Sequence, residues 1–260
     1  QIMEAETMTI LEDIYLPYKP KRKTKASVAR EKGLQGLADF IMNQNNADLD
    51  TEASKYINDE LGVLNAEDAL SGARDILAEF MAEQPELRSR MRELFIQTGT
   101  FHSKLIKGKE TEGQKYKDYF DWSEPVKTAP SHRVLALRRA EKEIILTLDI
   151  EVPEDNAIRI LEDLFVKGAN PLSEQVLQAA ADAYKRLIKP SMETEIRLMT
   201  KKQADTEAIR VFADNARQLL LAAPVGQKRI MAIDPGFRTG CKLVCLDDQG
   251  QLIENTNIYP

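Results

Sequence analysis

Seven cations and a single carboxylate, Glu31, occupy the stretch from Pro17 to Gly33, in a chain whose net charge is −6. Such a basic segment can contact phosphate groups, and Tyr15 and Tyr18 beside it can stack on the bases of single-stranded nucleic acid. The alternative is a solvated connector that is stiffened by prolines and whose positive charges interact with acidic helices nearby. The candidate nucleic-acid contacts in this basic segment are Tyr18, Lys19, Lys21, Arg22, Lys23 and Lys25.

A second group of cations, Arg133, Arg138 and Arg139, follows His132 on a predicted helix. Arg133 is a further candidate for nucleic-acid contact. Because residues 138 and 139 point in different directions on a helix, the three arginines cannot all face one ligand. Structural salt bridging is therefore the alternative role for this group.

Asp234 is the weak catalytic candidate, since it follows the short apolar run Ile230 to Ile233 and precedes a Pro-Gly turn. A metal-dependent nuclease holds two divalent ions with several carboxylates, and this strand supplies one. Asp-Pro-Gly is also common turn chemistry, so a structural role is the alternative. Two histidines and two cysteines do not form a set with zinc-ligand spacing. We therefore expect neither a metal site nor a cofactor.

The composition indicates a globular chain, because 43% of its 260 residues are hydrophobic. Because its net charge is negative, the chain as a whole does not attract nucleic acid, so any nucleic-acid-binding site must be a local basic region. Apolar runs fall short of the roughly 20 residues that span a bilayer, and no leader opens the chain. We expect a cytoplasmic protein with reduced cysteines and no membrane partner.

The pattern predicts a mainly α fold with a small β element near residues 143–150. Apolar residues recur at helical spacing in residues 34–42, 69–81 and 85–95, with Asn65 as the cap of the second helix and Pro85 at the start of the third. Strict alternation from Glu143 to Ile150 predicts a strand. Further helices are expected from Pro153, from Ser173 and from Pro190, with a break or kink at Pro190. The region 101–130 is less regular, and its aromatic group is predicted to pack in the core rather than to stack on bases: Tyr116, Tyr119, Phe120 and Trp122.

Residues 230–253 predict a three-stranded meander, whose strands are separated by turn residues after Asp234 and at Asp247 to Gly250. We place a domain boundary near Ala223 to Gly226, which gives a helical region over 1–226 and the first strands of an α/β domain over 227–260. A ribbon with one apolar face needs helices to cover it. The expectation is thus a fragment whose meander is truncated.

Three stretches together resemble the bacterial Tex transcription accessory proteins. They are residues 11–34, containing Leu-Pro-Tyr-Lys-Pro-Lys-Arg-Lys, residues 130–139, and residues 233–242, containing Ile-Asp-Pro-Gly-Phe-Arg-Thr-Gly. The resemblance spans nearly the whole chain. It implies a helical region followed by the opening strands of a YqgF-type, ribonuclease-H-like α/β domain, without the family's helix-hairpin-helix and OB-fold parts.

The resemblance implies a cytoplasmic, non-enzymatic transcription accessory protein that binds nucleic acid, RNA in particular, and that can contact the transcription machinery. Tex-like domains tend to look incomplete at the ribonuclease-H-like metal site, which favours a structural Asp234. Two alternatives stay open. One is a metal-dependent nuclease or resolvase, and the other is a helical scaffold for protein partners.

Overall fold

The computed structural model describes residues 5, 7–19, 22–223, 226–236 and 240–259. Within them the chain is mainly helical, as predicted, and it divides into two compact units, Gln1–Ala208 and Ile209–Pro260. The helices are α1 Met8–Tyr15, α2 Lys25–Glu31, α3 Gln35–Asn43, α4 Leu49–Ser54, α5 Ala66–Ala82, α6 Pro85–Thr98, α7 Ser131–Lys142, α8 Glu154–Phe165, α9 Pro171–Asp182 and α10 Lys189–Leu220.

Helix α5 lies at the centre of the first unit and packs against α2, α3, α4 and α9. The predicted N-cap is confirmed, because the Asn65 side chain accepts a hydrogen bond from the Asp68 amide at 2.9 Å. Gly72 allows α2 to approach closely, since a Cβ there would lie 2.3 Å from Leu34 Cδ1 and 3.4 Å from Ala29 Cβ. Of the apolar stripe predicted for this helix, Phe80 is 43% exposed. The other members are buried: Ala69, Leu70, Ala73, Ile76, Leu77 and Met81.

A π-helical turn, Ala183–Ile188, joins α9 to α10. At its end the Lys189 amide donates to the carbonyl of Tyr184, five residues back. Pro190 follows directly, and because it lacks an N–H and its ring crowds the carbonyl four residues back, a regular α-helix could not continue through it unchanged. The predicted break or kink at Pro190 is thus a local change of helix type, and the helical path continues to Leu220.

The first unit contains a three-stranded antiparallel sheet of which the sequence predicted only one strand. Its strands are β1 Thr100–Leu105, β2 Asp121–Pro125 and β3 Leu146–Glu151, in the order β2-β1-β3. On β3 the predicted alternation is confirmed, since Leu146, Leu148 and Ile150 are buried and the residues between them are exposed. The region 101–130 was interpreted as irregular, yet it supplies β1 and β2.

The predicted start of β3 at Glu143 was wrong, because α7 ends with a turn that includes Ile144. This residue has a φ of 57°, in the left-handed region that a β-branched side chain rarely adopts. The amides of Ile144 and Ile145 donate to the carbonyls of Glu141 and Ala140, at 3.0 and 2.9 Å. The helix cap therefore removes residues 143–145 from the strand.

The second unit contains the predicted meander. Its strands are β4 Ile230–Asp234, β5 Cys241–Leu246 and β6 Leu252–Ile258, paired antiparallel in the order β4-β5-β6. The turn between β5 and β6 is organised by Asp247, whose carboxylate accepts hydrogen bonds from the amides of Gln249 and Gln251 at 2.9 and 2.8 Å. Every position of β6 is exposed.

Candidate nucleic-acid interface

Tyr18 and Lys19 lie at the end of a single 3₁₀ turn, Leu16–Tyr18, that extends α1. Pro17 fits this turn because its missing N–H is not needed there. The turn closes with the Lys19 amide donating to the Leu16 carbonyl at 3.3 Å. The Tyr18 side chain is 79% exposed and Lys19 is exposed, so both face solvent.

The remaining described cations of this candidate site surround the start of α2. Thr24 and Ser27 form a capping box, in which each side chain accepts the other's amide at 3.0 and 2.9 Å. Lys25 is the first residue of the helix, where a positive charge is unfavourable to the helix dipole. Its charge therefore contributes nothing to the stability of α2.

Little of this positive charge is neutralised by neighbours. Lys23 lies 3.5 Å from Glu31, but both side chains are more than half exposed, and such pairs contribute little. Lys19, Arg22 and Lys25 are exposed and form no ion pair with any residue that the structure describes. Lys21 lies outside the described residues.

A groove of about 580 Å³ runs beside α2, with Lys23, Lys25 and Lys32 along it and Asp68 and Asp75 on the opposite wall. Burial raises the pKa of Asp75, against the opposing charges of Arg186 and Lys25. The Lys32 ammonium donates to the Gly62 carbonyl at 2.8 Å. The groove is therefore lined by side chains of both charges.

Arg133 lies on another element, the first turn of α7, and is paired. Its guanidinium donates to Glu124 of β2 at 2.7 Å. Arg138 pairs with Glu141, whose other oxygen accepts from Arg197 at 2.9 Å. The geometry of Arg133 and Arg138 matches the salt-bridging alternative, and nucleic-acid contact by Arg133 stays a prediction.

The aromatic group packs as expected. Tyr116 is buried, and the rings of Tyr119 and Trp122 meet edge to face, with 5.6 Å between centroids. Tyr119, Phe120 and Trp122 are partly buried against the hydrophobic core. The group therefore packs against the core of the first unit.

Asp234 is the last residue of β4, exposed and opposite Lys242 in the register of β5. Cys241 and Cys245 are free thiols. Within the described part of the chain no three histidine, cysteine, aspartate or glutamate side chains are placed to hold a metal ion.

Sequence reasoning missed a ring of four charged side chains, Asp13, Arg88, Arg92 and Glu195, which we call the arginine–carboxylate ring. Arg88 donates to Asp13 at 2.5 Å and to Glu195 at 3.1 Å. Arg92 donates to the other oxygen of Asp13 at 2.6 Å and also to Glu195. The only local sequence signal is the spacing of Arg88 and Arg92, which places both on one face of α6.

None of the helices built from described residues has a stretch long and apolar enough to cross a membrane.

Comparison with known proteins assigns both parts of the chain. Residues 44–212 match the description "Tex central region-like", and residues 228–260 match "Tex protein YqgF-like domain". Protein tex of Bordetella pertussis is 40% identical over all of this chain and 35% of its own length. Transcriptional accessory protein Tex of Neisseria gonorrhoeae is 39% identical over the same shares. S1 RNA-binding domain-containing protein 1 of Homo sapiens is 27% identical over 99% of this chain and 27% of its own length.

The chain spans about a third of the length of these bacterial relatives. The central-region match alone covers more than half of the chain, and the second match begins at the strands of the meander. The chain therefore belongs to the Tex family.

Proposed function

We propose that this chain is part of a transcription accessory protein and contributes a nucleic-acid contact, with RNA as the preferred ligand. The observation that carries the proposal is the basic segment, where an almost fully exposed Tyr18 stands beside cations that lack ion-pair partners among the described residues. Two relatives support it by name, one as a transcriptional accessory protein and one as a protein with an S1 RNA-binding domain.

The arrangement suits a single strand better than a duplex. Phosphates of a flexible strand can follow Lys19, Arg22, Lys23 and Lys25 around the start of α2, while one base stacks on Tyr18. These contacts carry no base-specific hydrogen bonding, so we expect weak sequence preference. In a longer protein the segment would add to other nucleic-acid-binding parts, and we expect a cytoplasmic location with access to the transcription machinery.

We further propose that the chain acts without catalysis. Asp234 is the one carboxylate on β4, it faces solvent, and its cross-strand neighbour is the cation Lys242. Asp247, in the turn between β5 and β6, accepts hydrogen bonds from two backbone amides. This placement favours the structural role for Asp234.

The test is a salt titration of single-stranded RNA binding by the chain and by a variant in which Lys19, Arg22, Lys23 and Lys25 are replaced by Ala. Each lost phosphate contact lowers the log-log slope by about 0.7, so the slope should fall by up to about three units. The matched control replaces four other exposed lysines by Ala, so that the change in net charge is equal: Lys107, Lys117, Lys142 and Lys202.

The control variant should keep most of the wild-type slope. Equal slopes for wild type and the first variant would remove the basic segment from the mechanism. Equal losses in both variants would show that only net charge matters.

A further inference from the structure

The arginine–carboxylate ring is the main anchor of α1. Asp13 is the single buried residue of this helix, and its apolar residues Leu11 and Ile14 are only partly covered and lie outside the core cluster. The Asp13 side chain is 7% exposed and accepts from both Arg88 and Arg92. A helix that buries a carboxylate instead of an apolar stripe depends on that ion pair for its position.

The two carboxylates of the ring are anchored very differently. Glu195 belongs to α10 and stands between Met192 and Ile196, both fully buried. Asp13 belongs to α1, whose described apolar residues Leu11 and Ile14 are only partly covered and lie outside the core cluster. Of the two anions held by the arginines, Asp13 is therefore the one that can leave at small cost to the core.

A cleft of about 630 Å³ leads to the ring. Its wall includes Asp13, Arg88, Glu195 and Ser191, which accepts a third hydrogen bond from Arg88 at 3.2 Å. Lys19 of the basic segment also lines this cleft. A phosphate group bound at Lys19 thus has a path to Arg88 and to the Asp13 carboxylate that Arg88 shares with Arg92.

We propose that Arg88 and Arg92 form an oxyanion site for a phosphate group, and that the Asp13 carboxylate is its internal occupant. A phosphodiester carries one negative charge and offers two acceptor oxygens, as does the Asp13 carboxylate. Exchanging one for the other preserves the net charge and the paired guanidinium hydrogen bonds. The exchange releases α1 and moves the basic segment that follows it.

This inference rests on the proposed function for the source of the phosphate, a nucleic-acid backbone. The oxyanion site itself is independent of that source, since an inorganic phosphate presents the same kind of acceptor oxygens to a guanidinium group, although it carries more charge. Two probes therefore separate the questions: pyrophosphate tests the site, and a single-stranded RNA oligonucleotide tests its connection with the basic segment.

The first experiment measures pyrophosphate binding calorimetrically to the wild type, Asp13→Asn, and Asp13→Asn combined with Arg92→Gln. Asp13→Asn removes the competing charge with little change of shape, so its affinity should exceed that of the wild type by about tenfold or more. The added Arg92→Gln should abolish the gain. Equal binding by all three proteins would overturn the proposal.

The second experiment uses the wild type alone, so it does not depend on how the variants fold. Hydrogen exchange of the α1 amides, residues 8–15, should accelerate when pyrophosphate or the oligonucleotide is added, while exchange in α5 stays unchanged. Unchanged α1 exchange at saturating concentrations of both probes would contradict the release of α1.

The salt dependence of RNA binding by Asp13→Asn identifies the source of the phosphate. A log-log slope steeper than that of the wild type by about 0.7 assigns the site to the RNA backbone. Pyrophosphate binding without a change in slope would retain the oxyanion site and overturn its connection with RNA. Failure of the wild type to bind RNA would count against the proposed function, and the pyrophosphate results would still decide the site.

Discussion

The described part of the chain contains two antiparallel sheets of three strands each, and they differ in what covers them. In the sheet β2-β1-β3, strand β3 alternates between buried and exposed positions, and Leu146, Leu148 and Ile150 belong to the hydrophobic core. In the sheet β4-β5-β6, strand β6 is exposed throughout, and of the described residues none on these three strands belongs to the core cluster.

The difference shows that strand pairing and burial have separate causes. Both sheets are held together by ladders of cross-strand pairs. The first is covered because α7 packs on β3 directly before it in sequence. The apolar residues of β6 do not alternate, since Leu252 and Ile253 are adjacent next to an irregular register at Cys245 and Leu246. A ladder of backbone hydrogen bonds therefore forms without a buried face.

The largest expected contrast is between Ile150→Ala and Ile253→Ala. Ile150 is fully buried, so its truncation should lower the free energy of unfolding by about 2–5 kcal/mol through lost burial and a cavity. Ile253 is 60% exposed, and its truncation should change stability by less than about 0.5 kcal/mol. Urea unfolding followed by the fluorescence of Trp122 on β2, with circular dichroism as a second probe, measures both. Similar losses for the two variants would show that the second sheet is covered.

A smaller effect concerns Tyr184, which lies buried near the carboxylate at the end of β3. Burial, followed by the charges of Glu154, Glu193 and Glu151, raises the pKa of Tyr184 to about 12. In the unfolded chain the pKa of this tyrosine is about 10. The stability contributed by the neutral phenol is therefore fully present below about pH 10 and is lost as the pH rises from about 10 to 12, where the unfolded chain ionises first. Relative to Tyr184→Phe, the wild type should lose about 1 kcal/mol of unfolding free energy by pH 11. Parallel stability curves for the two proteins from pH 8 to 11 would exclude the shift.

A still smaller gain is expected from Ile144→Gly in the turn that precedes β3. Glycine adopts the left-handed conformation of this position without the strain of a β-branched side chain, so the variant should be more stable by about 1 kcal/mol. Ile144→Ala is the matched control, because it removes the same exposed apolar surface and retains the Cβ. Thermal unfolding of both should show a gain for glycine alone; an equal gain for alanine would point to the exposed side chain instead.

The smallest effect is expected for Asp234→Asn in the second sheet. The side chain is exposed, so stability should stay within about 0.5 kcal/mol of the wild type. Since we propose a non-enzymatic role, neither protein should cleave RNA with magnesium or manganese. Metal-dependent cleavage by the wild type that is lost in the variant would instead establish the nuclease alternative.

Periodicity predicted much of the fold because most helices bury one continuous stripe. The stripe on α5 and its Asn65 cap could be read locally, as could the alternation on β3. Strands β1 and β2 could not be predicted locally, because their burial depends on residues far along the chain. Phe101 of β1, for example, pairs with Glu124 of β2 and with Ile150 of β3. Ile144 was misassigned because its alternation matched a strand while its backbone closes a helix.

The candidate site likewise has one part that could be predicted from local sequence and one part that could not. The exposure of Tyr18, Lys19, Arg22, Lys23 and Lys25 agrees with a dense run of cations, which cannot be buried without partners. The arginine–carboxylate ring was beyond sequence reasoning because its members come from α1, α6 and α10. Arg88 is 75 residues from Asp13 and 107 from Glu195. Ion pairs between residues so far apart in the chain leave no periodic pattern in the local sequence.

The π-helical turn at residues 183–188 sets the rotational phase of the part of α10 that lies in the first unit. It holds one more residue than an α-helical turn, and each residue of an α-helix corresponds to a rotation of about 100°. Deleting one residue there would turn α10 by roughly that angle, so that Glu195 would face away from α6. This single additional residue between α9 and α10 therefore determines whether Arg88 and Arg92 on α6 contact Glu195.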